Sequence, residues 1–150
     1  MSIKKIILNQ DPILTTPCVP FDFANPQVDP IELFEDLRDT MCNARGVGLA
    51  ASQIGISLNV FVMGNYIDPE NVIPVFNPMI LNTIEEETYE EGCLSFPGLY
   101  IKIKRGRQIR VRFTNHLNDT NAMNFDGLTS RIFQHEFDHL SGIVFSKRAT

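Results

Sequence analysis

The sequence has no apolar run long enough to cross a bilayer, and no apolar stretch follows Met1 in the manner of an export signal. A membrane-spanning helix needs about 20 such residues in a row, and a secretory leader needs an apolar core near the start. The expectation is a chain that neither spans nor is exported across a membrane and that works in the cytoplasm. Positive charge is also in short supply. Thirteen Lys and Arg against 18 Asp and Glu leave a net charge of −5 and a pI near 5.1. That balance argues against nucleic acid as the main ligand, because phosphate backbones attract basic faces. Cysteine is scarce and odd in number: Cys18, Cys42 and Cys93 lie far apart. A disulfide framework is not expected. Internal repeats and low-complexity tracts are missing as well.

What remains is an ordinary globular composition, 43% hydrophobic and 21% charged, over 150 residues. This length suits one domain, residues 1–150, with a core of its own. Asp11-Pro12 signals a helix start after a short apolar segment from Ile3 to Leu8, and Pro17, Pro20 and Pro26 then impose an extended loop. Pro30 opens a helix whose apolar stripe is Ile31, Leu33, Phe34, Leu37, Met41 and Cys42, and Gly46 and Gly48 end it. From Asn59 the pattern changes to short strands: Val60–Met63, Val72–Phe76, Met79–Ile84, Thr88–Cys93, Tyr100–Lys104, Gln108–Phe113 and Ala122–Phe125. Turn signals such as Asn77-Pro78 separate them. A second helix runs from about Gly127 to Leu140. The fold class expected is α+β, a mainly antiparallel sheet wrapped around one central helix. Lys102 to Arg107 reads as the solvated face of a strand pair, and Glu85 to Glu87 with Glu90 as a solvated edge.

The second helix carries the chemistry. His135 and His139 are four residues apart, so a helix sends both imidazoles from one face, about a turn apart. Two nitrogens then reach one cation, and Glu136 beside them reaches a water on it. This is the His-Glu-x-x-His arrangement of metal hydrolases. A catalytic metal usually takes three protein ligands and keeps one position for water. Cys93 is the best third candidate, because Gly92 lets the backbone approach closely and a thiolate ligates strongly. Cys42 reads as a buried structural thiol, Cys18 lies in the proline-rich loop, and His116, in a polar turn, reads as exposed. A Cys-His-His set suits iron(II), zinc, nickel or cobalt, and spacing does not choose among them.

Three segments together resemble the signature motifs of the peptide deformylase family, in the family's order: Gly46-Val47-Gly48-Leu49-Ala50-Ala51-Ser52-Gln53, Glu91-Gly92-Cys93-Leu94-Ser95 and Gln134-His135-Glu136-Phe137-Asp138-His139. The likeness extends to Asp11-Pro12-Ile13-Leu14 and to the helix after Pro30. The resemblance implies removal of the formyl group from formyl-methionyl N-termini of new polypeptides, with release of formate. It implies one divalent metal on Cys93, His135 and His139, commonly iron(II) in cells and replaceable by nickel, cobalt or zinc. Glu136 would be the general acid/base, and Gln53 with the Leu94 N–H would donate to the formyl oxygen.

Gly46, Val47 and Gly48 would let a peptide add to a strand edge. Leu128 and Ile132, on the helix face of His135 and His139, would wall a pocket for the methionine side chain, with Gly92 and Val47 completing it. Glu91 would orient a metal-bound histidine, and Arg105 matches a family arginine that pairs with such a glutamate. After His139 the sequence runs only to Lys147-Arg148-Ala149-Thr150, without the C-terminal helix that many bacterial members use for ribosome docking. A short, phage-type member acting in a bacterial or infected-host cytoplasm, with weakened and transient ribosome contact, fits that pattern. Tyr100 stands where many bacterial members have a peptide-binding arginine. Two rival readings are a zinc endopeptidase with a downstream carboxylate ligand and a non-catalytic metal-binding or ribosome-interaction module. Beyond Gly142 there is no Asp or Glu for the first, and Glu136 and Gln53 would be superfluous in the second.

Overall fold

The computed structural model describes residues 3–149. Helix α1 spans Pro30–Asn43 and helix α2 spans Gly127–Leu140. Strands β1 (Gly48–Ala50), β2 (Val60–Met63), β3 (Ile73–Cys93), β4 (Phe96–Thr114) and β5 (Thr120–Asp126) form one antiparallel sheet in the order of the chain. The architecture is α+β, as expected.

Helix α1 starts where its chemistry says it should. The Asp29 side chain accepts from the N–H groups of Ile31 and Glu32, and Pro30 supplies the first helical position. Leu33, Phe34, Leu37 and Met41 are buried, while Ile31, expected on the apolar stripe, is 47% exposed. The helix ends at Asn43, ahead of the two glycines. Arg45 then turns back at φ 56°, and the Gly46 N–H returns to the Met41 carbonyl at 2.9 Å.

Strand periodicity explains how one sheet serves two helices. On β2, Val60 and Val62 pack in the cluster around Leu33, Leu37 and Met41 of α1. Phe61 and Met63 pack in the cluster around Phe133 and Leu140 of α2. Successive side chains leave opposite faces, so this short strand is apolar throughout and lies between both helices. Phe133 is the pivot of the second cluster. Its ring meets those of Phe61 at 5.1 Å, Phe125 at 5.7 Å and Phe113 at 6.4 Å.

Four further expectations change. The strands read as separate around Asn77-Pro78 and Glu85–Glu87 are one strand, β3, and those on either side of Arg105 are one strand, β4. Asn77 (φ 50°) sits at a register shift between Phe76 and Met79, and its side chain clasps the backbone of Phe21 in both directions. It makes a bulge where a turn was expected. Within the basic segment Lys102, Lys104 and Arg107 are exposed, yet Arg105 is buried, because strand alternation turns it inward onto carboxylates. His116 is half-buried: its ring lies on Phe34 at 4.6 Å.

Candidate active site and metal centre

Antiparallel pairing of β3 with β4 closes at Cys93↔Phe96, so Leu94 and Ser95 are the tip of a long hairpin. That tip meets the face of α2 bearing His135 and His139. The sulfur of Cys93 and one nitrogen of each histidine lie within 4.8 Å of one another. The Cys93 sulfur is 3.4 Å from Nε2 of His139, and the two imidazole rings stand edge-on at 5.1 Å. A thiol and two imidazoles at this separation fit a single borderline-soft cation. Their position also leaves Oε1 of Glu136 buried without a protein partner. An orphaned buried carboxylate oxygen is costly, and it is what a group reserved for water or substrate looks like.

The first histidine is held by a charged network. Nδ1 of His135 meets Oε1 of Glu91 at 3.0 Å. Glu91 in turn accepts from Nε and Nη2 of Arg105, at 2.6 and 3.0 Å, and from Nη1 of Arg131 at 2.6 Å. Arg105 also donates to Asp138 at 2.9 Å, and Asp138 accepts twice from Arg148. Arg131 further donates to the carbonyls of Ile103 and Glu87, tying α2 to both strands of the hairpin.

The electrostatics follow from these contacts. Burial alone would raise the Glu91 pKa, but hydrogen bonds from His135 and Arg105 bring it down to about 2. Burial disfavours the His135 cation, yet bonding to Cys93 and Glu91 raises its pKa to about 10. His139 goes the other way: burial, then the positive charges of His135 and Arg105, lower it to about 3. Burial raises Glu136 to about 7, against the lowering effect of His135 and Arg105. A carboxyl poised near neutrality suits proton transfer in both directions.

Gln53 sits across the cleft on the 3-10 turn Ala51–Ile54, and it is buried. Its Oε1 accepts from the Ala50 N–H at 3.0 Å, and its Nε2 lies 3.0 Å from Oγ of Ser95 and 3.8 Å from the Cys93 sulfur. The two glycines before it sit close against neighbouring side chains. A Cβ at Gly46 would stand 2.7 Å from Leu94 Cδ1, and one at Gly48 would stand 2.6 Å from Glu136 Oε2.

These residues open on a cleft of about 560 Å³. Gly46, Val47, Gly48, Gln53, Glu91, Gly92, Cys93, Leu94, Leu128, Ile132, His135 and Glu136 all line it, and His139 and Arg105 lie behind. Leu128 is 70% exposed, so it stands at the mouth, with Ile132 half-buried deeper in. Tyr100 packs its ring over Gly92 at the opposite rim. Sequence reasoning passed over Ser95, Arg131, Asp138 and Arg148. Ser95 and Asp138 lie inside the quoted motifs, and Arg131 precedes His135 by one helical turn. Nothing local marks Arg148.

Residues 3–150 match the polypeptide deformylase family. The peptide deformylase of Desulforudis audaxviator is 43% identical over 152 residues, covering 100% of this chain and 96% of that protein. Peptide deformylase from Thermotoga maritima superposes with a TM-score of 0.92 at 35% identity, covering 100% of this chain and 99% of the other. The Met-Ala-Ser-bound class I type b peptide deformylase of Acinetobacter baumannii gives 0.89 at 29% identity, over 98% of each chain.

Proposed function

Because the chain belongs to the peptide deformylase family, hydrolases that remove N-terminal formyl groups, we propose which of its residues perform that reaction and how. Cys93, His135 and His139 hold one divalent cation, iron(II) in cells, with zinc, nickel or cobalt able to take its place. When bound, such an ion supplies Lewis-acid activation of water and polarisation of a carbonyl.

The chain's own groups do the rest. Oε1 of Glu136, buried and unpartnered, accepts a proton from the attacking water. The same carboxyl returns that proton to the nitrogen of methionine as the C–N bond of the formamide breaks, leaving formate and a free amine. The remaining Nε2 hydrogen of Gln53 and the N–H of Leu94 donate to the formyl oxygen as negative charge grows on it. Loss of one such donor typically costs about 10²–10³ in rate. Glu91 fixes the ring of His135, and Arg105 fixes Glu91.

The substrate is the formylated end of a nascent polypeptide. Gly46 and Val47 lead into β1, which begins at Gly48 and is one of the two edge strands of the sheet; an extended peptide adds there by backbone pairing. The methionine side chain enters between Leu128 and Ile132 on one side and Val47 and Gly92 on the other. All of this lies within residues 1–150 acting as one catalytic domain, in the cytoplasm where new chains emerge, with at most transient ribosome contact. Among the described residues no helix is long and apolar enough to cross a membrane.

The observation that carries this reading is the convergence of Cys93, His135 and His139 beside an unpartnered Glu136. Its test is formate release from formyl-Met-Ala-Ser by anaerobically metal-loaded protein. Glu136→Ala should be nearly inactive with full metal occupancy, and unchanged turnover in that variant would sink the proton-transfer role.

A further inference from the structure

Ser95 is fully buried at the hairpin tip and does not line the cleft, yet its hydroxyl meets the one amide the reaction needs. The Gln53 side chain has two ends of nearly equal shape. If the oxygen faced the cleft, it would oppose the negative charge developing there; only the nitrogen end serves. Two contacts decide the matter. The Ala50 N–H holds Oε1, and Oγ of Ser95 accepts one hydrogen of Nε2. The second Nε2 hydrogen is left toward the Cys93 side of the cleft, where Sγ lies at 3.8 Å, too long for a strong bond.

Resting on the reading above, we infer that Ser95 is a positioning residue: its hydroxyl divides the two Nε2 hydrogens, keeping one on itself and the other on the formyl oxygen. Without it, a Gln53 hydrogen is buried with no oxygen acceptor. The amide then rotates toward the sulfur, and the donor is spent on Cys93. Ser95 itself touches neither substrate nor proton.

A double-mutant cycle with formyl-Met-Ala-Ser tests the inference, using Ser95→Ala, Gln53→Ala and the double variant. Ser95→Ala should lower kcat about tenfold, the scale of one hydrogen bond, with KM within about twofold and metal content unchanged. In the Gln53→Ala background the same change should do nothing further. Ser95→Thr, which restores the acceptor, should recover most of the loss. An equal loss with and without Gln53, or a loss appearing only in KM, would overturn the proposal. So would a Ser95→Thr variant with wild-type Tm and the activity of Ser95→Ala.

A readout independent of turnover is the side-chain amide NMR pair of Gln53. In the wild type its two protons should be well separated and slow to exchange, and in Ser95→Ala they should converge and exchange faster. No change there overturns the inference even if the wild type proves inactive, an outcome that would itself count against the catalytic reading.

Discussion

His135 and His139 leave the same helix face one turn apart, yet the protein holds them by different means. Nδ1 of His135 rests on a carboxylate that is backed by two guanidinium groups. Nδ1 of His139 is buried without a partner. Metal-binding histidines almost always donate their second N–H, so one of the two proposed ligands follows the rule and the other departs from it. One ring is therefore oriented by charge and the other by the packing that leaves it 1% exposed. The two can be weakened separately.

Removing a ligand should erase the difference. His135→Ala, His139→Ala and Cys93→Ala should each abolish stoichiometric metal binding, measured by elemental analysis after dialysis. Full occupancy in His139→Ala alone would mean that the unpartnered ring is no ligand at all. Next in size is Arg105→Ala, which leaves Glu91 and Asp138 without their shared buried cation. Breaking a buried pair in this way costs about 3–5 kcal/mol, read as a fall in Tm or in the denaturation midpoint.

Of the two histidines, Glu91→Gln should act on His135 alone, lowering metal affinity about 10–100-fold in chelator competition, while it also loosens the bonds from Arg105 and Arg131. An unchanged affinity would show that the carboxylate does not distinguish the two rings. The smallest effect belongs to Arg148→Ala. Its side chain is 47% exposed, so losing its bonds to Asp138 should cost no more than about 1 kcal/mol, and metal affinity should hold.

The contrast also marks what local sequence makes legible. Both histidines were readable from their spacing, and α2 runs from Gly127 to Leu140 as its period and flanking residues imply. Gln53 entered through family likeness, and Cys93 and the glycines were readable from their short local context. The network behind His135 was only partly so. Glu91 was readable from its place two residues before Cys93 and Arg105 entered through family likeness, while Arg131 and Arg148 reach their partners across the fold.

Long-range pairing hid the rest. Asn77-Pro78 has the chemistry of a turn, but β3 continues through it because β4 and the Phe21 backbone supply partners no window contains. Ring contact with Phe34 likewise draws in His116, which its polar neighbours had suggested was exposed.

The two glycines of the segment before Gln53 have a consequence for how such a sequence can drift. Each is committed to a distant neighbour: Gly46 to the side chain of Leu94, Gly48 to the carboxylate of Glu136. A variant at Gly46 can in principle be rescued by trimming Leu94, whose backbone N–H, the part proposed to act, would survive the change. A variant at Gly48 has no such escape, since shortening Glu136 removes the proposed proton carrier itself. In a saturation library, second-site revertants should therefore appear for the first position and not for the second. One glycine is negotiable with its neighbour; the other is tied to the carboxylate proposed to move the proton.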